Sequence, residues 1–184
     1  MTTFHVKTDP FVDYLQDLWI RNERGALAGL RRGLGRPPGM AIEMYPHVIP
    51  KLPSNLSEWD EKAYYLVAAL FALYPASAPE GNMGAHFAAL CEPGEAPSPA
   101  VERRFIALLS SHPDDLHRTL QQAVSLLKSK PVPICWHTLL RDLRRWAYPE
   151  SRVRVQKEWA DAFWARTVPA ESATEETTIS EEGE

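Results

Sequence analysis

The chain has 184 residues, a mass of 20.8 kDa and a formal net charge of −4, enough for one substantial core or two small helical halves packed together. Two cysteines, Cys91 and Cys135, are too few for a disulfide scaffold, and the first ten residues carry no apolar run resembling a secretory signal, so a reduced, cytoplasmic setting is expected. The longest apolar run, Ala63 to Tyr74, has 12 residues where a bilayer span needs about 20, and no membrane partner is expected.

Helical periodicity recurs along the chain and sustained strand alternation does not, which predicts an all-α fold of about eight to nine helices in two small packed bundles. Asp9-Pro10 supplies an N-cap and a first-turn proline for a helix carrying Phe11, Leu15 and Leu18 on one side, which Gly25 is expected to interrupt. A second helix, Ala26 to about Leu34, shows Leu27, Leu30 and Leu34 at helical spacing, with Arg31 and Arg32 beside that stripe. Gly35-Arg36-Pro37-Pro38-Gly39 then breaks the chain, and a short helix around Ala41 to Val48 is interrupted by Pro46. Ser57 to Asp60 resembles a capping box before the apolar helix that Pro75 ends. That helix is hydrophobic on most faces and belongs at the centre of a bundle.

Met83 to Cys91 reads as a short helix, and Pro93 to Pro99 as a linker. An N-terminal lobe, 1–95, and a C-terminal lobe, 96–168, are expected to meet there. The second lobe opens with a helix bearing Val101, Phe105, Leu108 and Leu109. Pro113 starts the next, with Leu116, Leu120, Val124 and Leu127, and Lys130-Pro131-Val132-Pro133 forces an extended connection. From about Cys135 to Tyr148, Trp136, Leu139, Leu140, Leu143 and Trp146 share one side of a helix, which puts Arg141, Arg144 and Arg145 on the other. Pro149 starts a last helix with Val155, Trp159 and Phe163 four apart. The segment 169–184 has the composition of a disordered acidic tail.

Charge is distributed unevenly. The tail holds six glutamates and no Lys or Arg, and without it 20 basic residues face 18 acidic ones. Residues 101–168 carry a net +5, while 54–100 carry only Lys62 against six acids. An arginine on the polar face of a helix is ordinarily a solubilising residue. The sets Arg31-Arg32, Arg103-Arg104 and Arg141-Arg144-Arg145 are clustered and favour Arg over Lys, which suits phosphate because the planar guanidinium donates parallel hydrogen bonds. Composition leaves two readings open, a polyanion-binding face and a merely solvated one. Trp19, Trp59, Trp136, Trp146 and Trp159 sit among apolar neighbours and read as core residues; Trp164 is not assigned.

Signals for catalysis are poor. Cys135-x-His137 with Cys91 lacks paired C-x-x-C spacing and makes no zinc site. His112 and His117 straddle Pro113, and Asp114-Asp115 fits a helix N-terminus, where carboxylates complement the dipole. No catalytic residue, metal or cofactor is expected.

Trp19-x11-Arg31-Arg32, then Glu102-Arg103-Arg104-Phe105, then Trp136-x4-Arg141-x-Leu143-x2-Trp146, in this order, resemble the CasB family, the small subunit of the type I-E CRISPR surveillance complex Cascade. The resemblance spans roughly residues 10–165 and is weak between about 35 and 95. It implies a non-catalytic, all-α protein with two head-to-tail copies in the complex, in contact with guide RNA, the target and non-target DNA strands and the other Cascade subunits. It further implies sequence-independent backbone binding that stabilises the R-loop, above all the displaced non-target strand. By position in the motifs the contacts fall to Arg31, Arg32, Arg103, Arg104 and Arg141. Helical geometry adds Arg144 and Arg145, and Arg21, Arg118 and Lys128 are further candidates. The alternative is a helical protein–protein adapter that does not touch nucleic acid.

Overall fold

The computed structural model describes residues 8–92 and 95–167; Pro93-Gly94 of the linker and the acidic segment 169–184 lie outside the described residues. Nine α-helices are present among them: α1 Pro10–Ile20, α2 Arg24–Arg31, α3 Tyr45–Val48, α4 Glu58–Leu73, α5 Met83–Ala88, α6 Pro99–Leu109, α7 Leu116–Ser129, α8 Trp136–Trp146 and α9 Pro149–Thr167. Short 3-10 turns, Ile42–Met44 and Ile49–Lys51, flank α3. The described residues hold no strand, only one bridge between Ser77 and Ile134. The all-α expectation holds.

Helix starts follow the local chemistry. Asp9 caps α1, its Oδ1 accepting from the Phe11 amide at 2.9 Å, and Pro10 occupies the first turn, where a missing N–H costs nothing. Ser57 caps α4 through Oγ and the Asp60 amide at 3.0 Å. The break after α1 differs from expectation. Gly25 lies inside the first turn of α2, and the chain turns instead at Asn22, which adopts the left-handed conformation (φ 56°) that asparagine tolerates better than most residues. The turn through Pro113 likewise delays α7, whose N-cap is Asp115.

The centre of the molecule is α4, which buries Ala63, Tyr64, Tyr65 and Val67–Ala72. It packs against α2, α7 and α8, while α5 packs along α9. The two halves of the chain therefore contribute to one connected core. Trp136 stands edge-on to Phe71 at 5.5 Å, and Trp146 lies 5.1 Å from Trp159. All three tryptophans are fully buried, each worth a few kcal/mol of apolar burial. Trp19 is a correction: it is 50% exposed. Its angular position on α1 suits the core, but the last turn of the helix, with Ile20 76% exposed, runs past the elements that cover Phe11, Val12 and Leu15.

One glycine sets a helix spacing. A Cβ built on Gly84 of α5 would stand 1.8 Å from the Trp159 carbonyl oxygen, so the backbones of α5 and α9 touch only because this position has no side chain. Along α6, α9 runs antiparallel: Gln156 Nε2 donates to the Leu109 carbonyl at 2.6 Å near one end, and Trp164 Nε1 donates to Glu102 Oε1 at 3.2 Å near the other.

Candidate nucleic-acid interface

The ten sequence-predicted basic residues fall into three groups and one outlier. The first group, on α8, lines a cleft with Thr8, Asp9, Asp60, His137 and Tyr148. Arg141 reaches its neighbour Asp142 through Nε (3.2 Å) and Nη2 (3.0 Å). Arg144 Nε donates to Asp60 Oδ1 at 2.9 Å, and its guanidinium lies 5.7 Å from the Tyr64 ring centroid. Arg145 forks onto Glu158, both nitrogens at 3.1 Å from separate carboxylate oxygens. These arginines do lie away from the Trp136–Trp146 stripe, but each is engaged by a carboxylate. Arg144 and Arg145 are half-buried and tie α8 to α4 and α9.

The carboxylates are what the sequence reading missed. Asp142 has 0% exposure; Trp159 Nε1 donates to its Oδ2 at 2.8 Å, and Arg141 and Arg145 stand on its Oδ1 side. Burial pushes the Asp142 carboxyl above the usual aspartate range, opposed by the Trp159 hydrogen bond and by Arg141. Around Asp9 a second network closes. Tyr64 donates to Asp9 Oδ2 at 3.0 Å, the Asp9 amide donates to His137 Nδ1 at 3.0 Å, and burial with the Asp9 charge pushes the Tyr64 phenol up to about 12. The one available signal was Asp142 itself, a carboxylate set inside an arginine run.

The second group converges on the C-terminus of α4. Arg31 Nε donates to the Ala72 carbonyl at 2.6 Å and Lys128 Nζ to the Leu73 carbonyl at 3.1 Å, so two cations from distant helices satisfy the last carbonyls of α4 and complement its dipole. Both side chains are otherwise exposed, as is Arg32 next to them.

The third group lies between α6 and α7. Arg104 and Arg118 line an open groove with Gln121, Gln122, Ser125 and Ser129. Arg118 has one exposed ion pair, to Asp115 at 3.6 Å. Arg103 and Arg104 are exposed and have no acidic partner among the described residues. Arginine forks beside amide and hydroxyl groups can hold phosphate oxygens without reading base edges. Arg21, the C-cap of α1, stands alone.

The Cys/His fragment is used internally: Cys135 N–H donates to His86 Nε2 at 3.0 Å, and His137 serves Asp9 as above. Among the described residues no group of three potential ligands gathers for a metal ion. No described helix is long and apolar enough to cross a membrane.

With this geometry in place, the chain can be compared with known proteins. The family model described as CRISPR-associated protein Cse2 matches residues 26–164. A CRISPR-associated protein Cse2 of Thermus thermophilus is 36% identical over 170 residues, covering 90% of this chain and 92% of that protein. The crystal structure of CasB from Thermus thermophilus superposes with a TM-score of 0.74 at 33% identity, over 85% of this chain and 96% of the other. A chain of a CRISPR RNA-guided surveillance complex does so with a TM-score of 0.71 at 30% identity, over 88% and 94%.

Proposed function

This chain belongs to the CRISPR-associated Cse2 family, whose solved members include proteins called CasB, and from that premise we propose that it is a non-catalytic small subunit of a type I-E Cascade complex. In this reading it holds nucleic-acid backbone without sequence preference and stabilises the R-loop, chiefly the displaced non-target DNA strand. Its partners are guide RNA, the target and non-target strands, the other Cascade subunits and a second copy of itself. Likeness to a chain of an RNA-guided surveillance complex supports the assembly.

The observation that carries the binding role is the α6–α7 groove, where Arg104 faces a polar wall and, like its exposed neighbour Arg103, has no acidic partner among the described residues. Exchange of a DNA duplex for a guide–target heteroduplex is nearly balanced, so a few phosphate contacts on the displaced strand suffice to tip it. In this reading Arg31, Arg32, Arg118 and Lys128 add to the basic surface, Arg21 adds a separate contact, and Arg141, Arg144 and Arg145 contribute through donors their carboxylates leave unused. Binding of single-stranded DNA and RNA over a salt series tests the proposal. A log–log slope that steepens with contact number, by about 0.7 per phosphate for single strands, is expected. Salt-independent affinity would exclude it.

A second reading has its own observation. Trp19, Ile20, Met40, Ile42 and Ile49 are exposed on the N-terminal half, apolar surface of the kind that meets other subunits. A pure adapter would keep complex assembly and unchanged DNA binding when Arg31, Arg32 and Arg141 are replaced together. Division into lobes near residue 95 also stands as a proposal, for which limited proteolysis between 92 and 98 is the measurement.

A further inference from the structure

We propose that the acidic segment 169–184 docks on the Arg103–Arg104 face of α6 and competes there with nucleic acid, acting as a built-in polyanion. The inference rests on the backbone-binding reading above for its consequence, but not for the docking itself.

Three observations lead to it. The first is where the described chain leaves off. Helix α9 runs antiparallel to α6, from Gln156 beside Leu109 to Trp164 beside Glu102, and its rings interlock with Phe105 (4.3 Å to Phe163, 5.6 Å to Trp164). The segment following Thr167 therefore departs at the N-terminal end of α6. The second is the helical wheel of α6. With Phe105 toward the core and Glu102 toward α9, successive steps of about 100° carry Arg103 outward and Arg104 on toward the α7 groove. Arg103 and Arg104, neither with a carboxylate partner among the described residues, thus stand on the helix beside which α9 ends. The third is charge. Glu171, Glu175, Glu176, Glu181, Glu182 and Glu184 stand in the segment with no Lys or Arg, against a net +5 for 101–168.

Reach is not limiting. Glu171 follows the end of α9 at Thr167 by four residues and Glu175 by eight, and an extended chain covers roughly 3.3 Å per residue. A tether of that length holds the glutamates at millimolar effective concentration. Non-specific nucleic acid binds with a Kd of roughly 10⁻⁴ to 10⁻⁶ M, so a tail with an intrinsic Kd of roughly 0.1 to 0.5 mM lowers stray binding about three- to tenfold and yields to a strand held by many contacts. The segment thus filters against short, weakly held polyanions.

The test uses the full chain with the six glutamates of 169–184 changed to glutamine. Docking is read directly from the Nε–H NMR signals of Arg103 and Arg104, which are expected to shift between the native and glutamine tails; identical signals would overturn the proposal whether or not the protein binds nucleic acid. The consequence is read with a short single-stranded oligonucleotide. Its affinity is expected to rise roughly three- to tenfold at low salt and to converge as salt screens the tail. In an Arg103→Gln/Arg104→Gln background the gain should vanish. A gain that persists there means diffuse repulsion rather than docking and sinks the proposal. A chain that shows the NMR shifts yet binds no oligonucleotide in either form keeps the docked tail and removes the binding function instead.

Discussion

Helices α6 and α8 carry the same kind of arginine cluster and use it differently. On α8, Arg141, Arg144 and Arg145 meet Asp142, Asp60 and Glu158, and two of those bonds join separate helices. On α6, Arg103 and Arg104 reach outward with no described carboxylate to meet. Identical residue types thus serve cohesion in one place and remain available to a polyanion in the other. Clustering of arginine marks a surface worth attention; the neighbouring acids decide what it does.

The sharpest way to break this contrast is to remove the buried carboxylate. Asp142→Ala strands the Trp159 indole N–H and removes the carboxylate partner of Arg141, and is expected to cost about 3 kcal/mol in chemical denaturation, with Asp142→Asn recovering part by keeping an acceptor for Trp159. A loss under about 0.5 kcal/mol would mean that α8 does not depend on its carboxylate. Next in size is the α6 pair. Arg103→Gln/Arg104→Gln should reduce the salt slope of single-strand binding by about 1.4 while leaving the melting temperature nearly unchanged.

Arg145→Gln should show the reverse profile, losing about 1 kcal/mol of stability because the fork to Glu158 is only partly exposed, with a slope change well below that of the α6 pair. A larger slope change than at α6 would erase the distinction between the helices. The smallest effect is spectroscopic. Tyr64, held protonated by burial and Asp9, should ionise near pH 12 in an absorbance titration, and Tyr64→Phe should delete that late step. Its folded-state pKa is raised, so its contribution to stability is complete below about pH 10 and fades as pH climbs toward 12.

Much of the fold was readable along the chain because its determinants are local. Asp9-Pro10 and Ser57 begin helices by chemistry confined to one turn, and the fourfold spacing of Val155, Trp159 and Phe163 names the buried side of α9. Trp19 shows the limit of periodicity, which fixes the angle of a side chain about its helix but not whether a neighbour extends far enough to cover it. The site was less legible for a related reason. Arg144 and Asp60 lie 84 residues apart, and no spacing rule pairs them. Arg31 and Lys128 converge on the end of α4 only once three helices are assembled. What could be read was which residues were candidates, not which of them the fold would consume.

Gly84 gives α9 a fulcrum. The helix rests on α5 at Trp159, and the residues beyond it form an arm of eight positions, roughly 12 Å at the usual helical rise, ending at the point from which the acidic segment departs. A methyl group at position 84 would tilt that arm and loosen the seat of Trp164 on Glu102. The seat of Trp164 on Glu102 thus depends on a missing carbon atom on a helix 80 residues earlier.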